Sequence, residues 1–402
     1  MTDQEKKPGA LQIFLIFLRL GLTSFGGPVA HLGFFRDEFV HHRRWLSERS
    51  YADLVALCQF LPGPASSQVG MALGLSRAGY AGAAAAWLGF TLPSAVLLIV
   101  LALGVNAYDG LASAGFLHGL KIAAVAVVAQ AVWGMGRNLC PDMPRILLMA
   151  VAAGIVLVSS AAWTQVAVIA AAGLVGLALF KPEQNTAGHD DWTVPVGRTA
   201  GTVWLVLFAV GLLALPVLAA TFQNQSIQLI DAFYRAGALV FGGGHVVLPL
   251  LQAEVVPTGW VDEEVFLAGY GAAQAVPGPL FSFAAFLGAA MKQSPTAWVG
   301  GLLCLLAVFT PSFLLVAGAL PFWENLRRNQ RIQAALMGVN AAVVGILLAA
   351  LYNPVWTSAI DSLQDFILAL LALAALVYWR LPSWAVVALC AISSAVLTTI
   401  AA

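Results

Sequence analysis

The amino-acid sequence predicts an all-α polytopic membrane protein made of two inverted-topology repeats with broken or re-entrant helices. Three observations predict it: an apolar composition, a long internal duplication, and a reversal of loop charge between the two copies. Of 402 residues, 60% are hydrophobic and 9% charged, where soluble domains carry roughly 25% charged residues. Apolar runs such as 78–105 and 201–220 are long enough to cross a hydrocarbon layer of about 30 Å. The formal net charge is zero, which gives no support to nucleic-acid binding. Cys58, Cys140, Cys304 and Cys390 are widely spaced, with no C-x-x-C pair, and read as small core residues.

The duplication is carried by uncommon residues in a shared order. Phe17-Leu18-Arg19-Leu20-Gly21 followed by Phe25-Gly26-Gly27 returns as Phe233-Tyr234-Arg235-Ala236-Gly237 followed by Phe241-Gly242-Gly243. The register continues through Glu38 and Glu254, Trp45 and Trp260, Gln59 and Gln274, and Pro62-Gly63-Pro64 and Pro277-Gly278-Pro279. It then takes in Ser67 and Ser282, Arg77 and Lys292, Pro93-Ser94 and Pro311-Ser312, and Gly119 and Gly338. Repeats of this kind set the architecture of the whole chain. The expected division is a first repeat over 1–180, a linker with a connecting transmembrane helix over 181–225, and a second, inverted repeat over 226–402. The polar stretch 181–199 is the linker, and the single apolar run 201–220 after it turns the second repeat upside down.

Loop charge agrees with that inversion. Between its Phe-Gly-Gly and Pro-Gly-Pro elements the first repeat holds Arg36, Arg43, Arg44 and Arg49, whereas the equivalent loop 252–264 has no Lys or Arg and carries Glu254, Asp262, Glu263 and Glu264. Basic loops stay cytoplasmic. Further on, Arg327, Arg328 and Arg331 lie in a second-repeat loop whose first-repeat equivalent, around Asn106 and Asp109, has none. One path satisfies both contrasts: the loop 31–50, Arg137 to Arg145 and the linker inside, with 252–264 and 292–296 outside. It requires two re-entrant or broken elements per repeat; full spans instead would raise the count toward thirteen crossings.

The breaks are the expected binding elements, because irregular backbone at membrane depth persists only where protein or a water-filled cavity satisfies it. In inverted-repeat transporters, paired Gly/Pro-interrupted segments mark a midplane site where half-helix N-termini face an anion. The candidate substrate residues on the Phe-Gly-Gly pair are Ser24, Gly26, Gly27, Gly242, Gly243 and His245. On the Pro-Gly-Pro pair they are Gln59, Pro62, Gly63, Pro64, Ser66, Ser67, Gln274, Pro277, Gly278, Pro279 and Ser282. Arg19 and Arg235 add guanidinium groups that match an oxyanion, and Lys121 is a lone cation in an apolar run, opposite Asn340 in the repeat. Tight small-residue packing, a structural kink and snorkelling arginines are the competing readings of the same positions. Glu38 and Glu254 could relay protons, although their charged loop context favours an ordinary solvated role. No ATP-binding, zinc-hydrolase or nucleophile-elbow motif is present, so neither a catalytic site, a metal nor a cofactor is expected.

The Phe-Gly-Gly element, the loop ending in Trp45, the Gln-x-x-Pro-Gly-Pro element and their duplication along nearly the whole chain resemble the long-chain, two-domain members of the chromate ion transporter family. The resemblance implies a secondary active transporter that exports chromate across the bacterial inner membrane and confers chromate resistance. Sulfate or another tetrahedral oxyanion, and an anion channel of the same fold, are alternatives that the motifs leave open. The partners implied are the oxyanion and the lipid bilayer, with a homodimer as a candidate assembly and no nucleic acid. Symmetry is broken where Pro28 meets Gly244 and Ser66 meets Phe281, which favours one shared central site over two equal ones.

Overall fold

The computed structural model describes residues 8–107, 114–159, 162–182, 196–222, 224–323, 326 and 329–401. Most of the linker, Asp109 and the Arg327-Arg328 pair lie outside the described residues. Among the described residues the chain is helical, with no strand.

The first repeat opens with α1 (Ala10–Thr23) and α2 (Gly27–Arg36), whose last turn widens into a π-turn over Asp37–His42. Then come α3 (Glu48–Phe60), α4 (Ala65–Ala107), α5 (Ala114–Leu139), α6 (Met143–Val158) and α7 (Ala162–Leu179). The connecting helix is α8 (Arg198–Phe222). The second repeat follows the same plan: α9 (Gln225–Ala238), α10 (Val247–Val255), α11 (Glu263–Ala275), α12 (Phe283–Ala290), α13 (Ala297–Ala319), α14 (Gln330–Ala350), α15 (Leu363–Val377) and α16 (Ser383–Ala401). Both motif pairs interrupt helices, as Gly and Pro dictate: Ser24–Gly26 parts α1 from α2, and Leu61–Pro64 parts α3 from α4.

The interrupted segments turn back on themselves. The Arg77 guanidinium donates to the Trp45 carbonyl and lies 5.1 Å over the Trp45 ring, so the start of α3 and the end of the first part of α4 share one place. Non-helical backbone at Ala78 and Gly79 then reverses α4, and Gly74 packs against Gly82 across the turn. In the second repeat the Lys292 N–H donates to the Trp260 carbonyl at 3.2 Å, and Lys292 Nζ reaches Asp262 at 2.7 Å. The α1–α2 pair folds back as well, with the Phe17 ring 5.5 Å from Phe35 and 5.1 Å from Phe39. Each repeat therefore has two re-entrant hairpins. At about 1.5 Å per residue, the 13 residues of α3 reach roughly 20 Å into the protein, well past the middle of a hydrocarbon layer.

Contacts between the long spans fix the inversion. Tyr80 meets Phe313, Trp87 meets Phe309 and Ile99 meets Gly301, so the second part of α4 runs antiparallel to α13. Because each of these spans begins beside the anchor of its own hairpins, the two hairpin pairs enter from opposite faces. Helix α8, mostly exposed along its apolar length, packs on α9 and α13 and is long and apolar enough to cross a membrane.

The repeats also exchange their last two helices. Helices α6 and α7 pack on α14, while α15 and α16 pack on α5. Gly338 meets the Ala172 carbonyl and its repeat partner Gly119 meets the Cys390 carbonyl, each at a place where an added Cβ would stand 2.4 Å or less from backbone oxygen. Trp163 and Trp384, each the second residue of its helix, reach hairpins of the opposite repeat, at Arg235 and Phe25.

Single cysteines introduced as Arg49→Cys and Pro257→Cys in a cysteine-free background are expected to react with impermeant maleimide from opposite faces, Arg49→Cys from the cytoplasmic one. Labelling of both from one face would contradict the inverted arrangement.

Candidate functional site

Hairpin tips from opposite faces meet in the protein interior, and they are tied by reciprocal backbone hydrogen bonds. The Gly63 N–H donates to the Val240 carbonyl at 2.7 Å, and the Gly278 N–H donates to the Ser24 carbonyl at 3.1 Å. Gly63 and Gly278 are repeat partners, and so are Ser24 and Val240. Each Pro-Gly-Pro turn is thus joined to the Phe-Gly-Gly break of the other repeat.

Glycine is required at both turns. Gly63 has φ +122° and Gly278 φ +102°, a region that L side chains avoid. A Cβ on Gly63 would stand 2.4 Å from Ser312 Oγ, and one on Gly278 would stand 2.9 Å from Ser94 Oγ. Ser94 and Ser312 are themselves repeat partners, each following a mid-helix proline in the central spans. Ser94 Oγ bonds Ser282 Oγ at 2.6 Å. The equivalent pair, Ser312 and Ser67, makes no such bond: both hydroxyls are buried without a partner.

Other unmet polar atoms gather on these elements. Ser24 Oγ, Gln68 Oε1 and Thr91 Oγ1 are also buried and unpartnered, although Gln68 Nε2 donates to the Pro62 carbonyl at 2.6 Å. Buried polar groups are overwhelmingly hydrogen-bonded. A group of hydroxyls and amides left open at one crossing is therefore a feature of ligand or water sites. His31, 1% exposed, stands 3.5 Å from Ser66 Oγ.

The sequence-derived candidates divide accordingly. The crossing brings together Ser24, Gly63, Ser67, Gly278 and Ser282, with Pro62, Pro64, Ser66, Gln274, Pro277 and Pro279 on the same turns and their flanks. The N–H groups of Gly63 and Gly278, expected to face an anion, are instead consumed by the cross-repeat bonds; donors for a ligand are left to the side chains and to the first turn of α4. Gly242 lies beside Asn340, whose Oδ1 is 3.5 Å from where a Cβ on Gly242 would be, and a Cβ on Gly244 would meet Pro28 at 3.3 Å. Gly26, Gly27 and Gly243 complete the Phe-Gly-Gly breaks. His245 bonds the Tyr270 hydroxyl at 2.8 Å. Lys121 is 8% exposed, with Glu264 3.9 Å away.

Three candidates stand apart from the crossing. Gln59 is exposed, unlike buried Gln274. Arg19 is exposed on α1. Arg235 is part-buried, but its charge is committed to Asp231 at 2.8 Å and Glu254 at 3.2 Å, with the Trp163 ring 5.1 Å away. Glu254 is thus an ion-pair member and not a solvated loop residue; Glu38 pairs with Arg43 at 2.7 Å. Sequence reasoning missed Ser94, Ser312, Gln68 and His31 as site residues. The duplicated Pro-Ser dipeptide was the available signal for the first two.

Residues 11–177 and 227–395 each match the family model described as chromate transporter. The chromate transport protein of Pseudomonas aeruginosa is 30% identical over 354 residues, which cover 84% of this chain and 79% of that protein. A probable chromate transport protein of Synechococcus elongatus is 28% identical over 90% of this chain and 88% of its own length. The chromate transport protein of Cupriavidus metallidurans is 26% identical over 92% and 88%. No solved structure gives a significant match.

Gly63→Ala and Gly278→Ala are each expected to lower stability by about 1–3 kcal/mol, from the left-handed backbone and the serine contact. Gly79→Ala, at φ +60° with nothing within 4 Å of its Cβ, should cost less. Thermal loss of monodisperse protein in detergent gives the order, and a Gly79 variant weaker than both would refute the tip assignment.

Proposed function

The chain belongs to the chromate transporter family, and on that premise we propose that it is a secondary carrier exporting chromate across the bacterial inner membrane, with the ion gradient as its energy source. It is a multi-pass membrane transporter and not an enzyme. The observation that carries the reading is the closed crossing of hairpin tips, where two opposed half-structures meet around unpartnered serines and amides. Such a centre sits between two faces, and rocking of the two halves, each carrying the helix pair exchanged from the other repeat, would open it to each in turn.

The oxyanion is held, in this reading, at the Ser67–Ser312 side of the crossing. Ser66, Ser67, Gln68 and Ser312 supply neutral donors, and the first N–H groups of α4 add theirs with the helix dipole behind them. The opposite side is closed to a ligand by the Ser94–Ser282 bond and by Phe281, which replaces Ser66. This asymmetry favours one site. Lys121, buried and the repeat partner of the Asn340 that flanks Gly242, supplies the positive charge in this reading, with Glu264 3.9 Å away. A buried lysine here lowers the cost of carrying a dianion through a low-dielectric interior.

Everted vesicles holding the protein are expected to accumulate chromate, to be inhibited by sulfate as a similar tetrahedral dianion, and to lose accumulation with a protonophore or ionophore. Counterflow exchange distinguishes a carrier from a channel, and its absence would overturn the carrier reading. Ser312→Ala deletes a hydroxyl with no protein partner, so it should leave stability intact. It should weaken chromate binding by about 10- to 150-fold, the worth of one hydrogen bond to a charged group. Lys121→Gln is expected to reduce transport at least as much. Unchanged chromate KM in both variants would remove these residues from the site.

A further inference from the structure

Asp231, Arg235 and Glu254 form a charge cluster that the oxyanion site does not use. Arg235 Nη2 donates to Asp231 Oδ2 and Glu254 Oε2 and so bridges the two arms of the α9–α10 hairpin, and all three side chains are at most 16% exposed. Two carboxylates face one guanidinium. Among the described residues, the elements packed around them bring no compensating charge against either carboxylate, and the turn Gly244–Val246 before α10 brings only His245, bonded to Tyr270. Helix α7 offers Trp163 and Gln165, α13 has no Asp, Glu, Lys, Arg or His, and α8 has only Arg198 at its first residue. Arg331 stands at the start of α14, and on α11 Glu263 bonds Ser358 while Glu264 faces Lys121.

An unbalanced carboxylate inside a membrane protein is costly, and the structure holds a place to relieve it. A cavity of about 10 Å³, room for roughly one water, is lined by Gln165, Arg235 and Glu254. Two polar atoms there have no partner: Gln165 Oε1, on a side chain 3% exposed, and Arg235 Nε. Asp231 does not line this cavity and is the closer partner of Arg235, so Glu254 is the carboxylate left to accept a proton. A metal ion fits poorly, since a hard cation seeks six or more oxygen ligands and the arginine repels it.

We propose that this cluster is the proton-binding site that couples transport, with Glu254 carrying the proton and the water-sized cavity beside Gln165 as its path. The inference rests on the carrier reading above. A proton from the outer aqueous phase joins the Glu254 carboxylate, leaving Arg235 paired with Asp231 alone; after the hairpin moves, the proton passes to water on the inner side and the carboxylate returns to Arg235. The first repeat carries Leu15 where Asp231 stands and pairs Glu38 with Arg43, so the device exists once per chain.

Proteoliposomes with a trapped pH dye test it through two readouts, chromate–chromate exchange and the internal pH change that follows an imposed chromate gradient. The wild type is expected to show both. Glu254→Gln and Asp231→Asn each leave one acid against one arginine, so both should keep exchange at the wild-type rate and lose the pH change. Glu254→Asp should retain it. Should one neutralising variant fail to accumulate, the other carries the same expectation. A pH change persisting in either overturns the proposal, as does a wild type that exchanges chromate without moving protons. A wild type that exchanges no chromate overturns the carrier reading itself.

Discussion

Two backbone hydrogen bonds, from Gly63 to Val240 and from Gly278 to Ser24, hold the centre of the molecule together. Each is worth only about 1 kcal/mol net, yet leaving either carbonyl unpaired in the interior would cost more than that. They explain why the turns are Pro-Gly-Pro. The prolines end one half-helix and remove N–H groups that would otherwise need partners, while glycine leaves room for a serine of a central span. The bonds also join opposite repeats, so neither hairpin tip is correctly placed without the other half of the chain.

The exchange of the final helices acts in the same direction. With α6 and α7 seated on α14, and α15 and α16 on α5, each repeat is clasped by the other. Close approach at Gly119 and Gly338 lets backbone meet backbone, the form of contact that stabilises helices in lipid, where apolar burial offers little advantage. A relative motion of the halves must therefore carry each helix pair with the foreign helix it grips. The moving bodies are then not the two repeats as written in sequence. They are composites, and the hairpin tips are the natural places for movement, since their contacts are few and polar.

The sequence showed the duplication, its inversion and the location of the breaks, because Gly, Pro, Trp and Arg at matched spacings leave a trace that apolar residues do not. It did not show the helix exchange: α5, α7, α14 and α16 are rich in Ala, Val, Leu and Gly, and such surfaces do not specify their partner. Arg19 and Arg235 are equivalent in sequence and unlike in structure, since Asp231 has Leu15 as its counterpart. A matched pair of residues is evidence of common origin and not of common environment. Ser94 and Ser312 were hidden for a different reason, as single hydroxyls inside long apolar helices resemble tolerated substitutions until a turn from elsewhere in the chain is placed against them.

Duplication gave this protein two of everything, and the departures from symmetry show what each copy still needs. The Ser94–Ser282 bond closes one half of the crossing, while Ser67 and Ser312 stay open in the other. Lys121 has Asn340 as its repeat partner, and the ion triad is confined to the second repeat. Equivalent sites on both sides would place two dianions, or two uncompensated charges, in the same low-dielectric interior, and their repulsion would penalise every occupied state. A single buried lysine in the first repeat and a single acidic cluster in the second separate the charges instead. The scaffold keeps its two-fold arrangement in the reciprocal backbone bonds and the exchanged helices, whereas its polar residues have diverged.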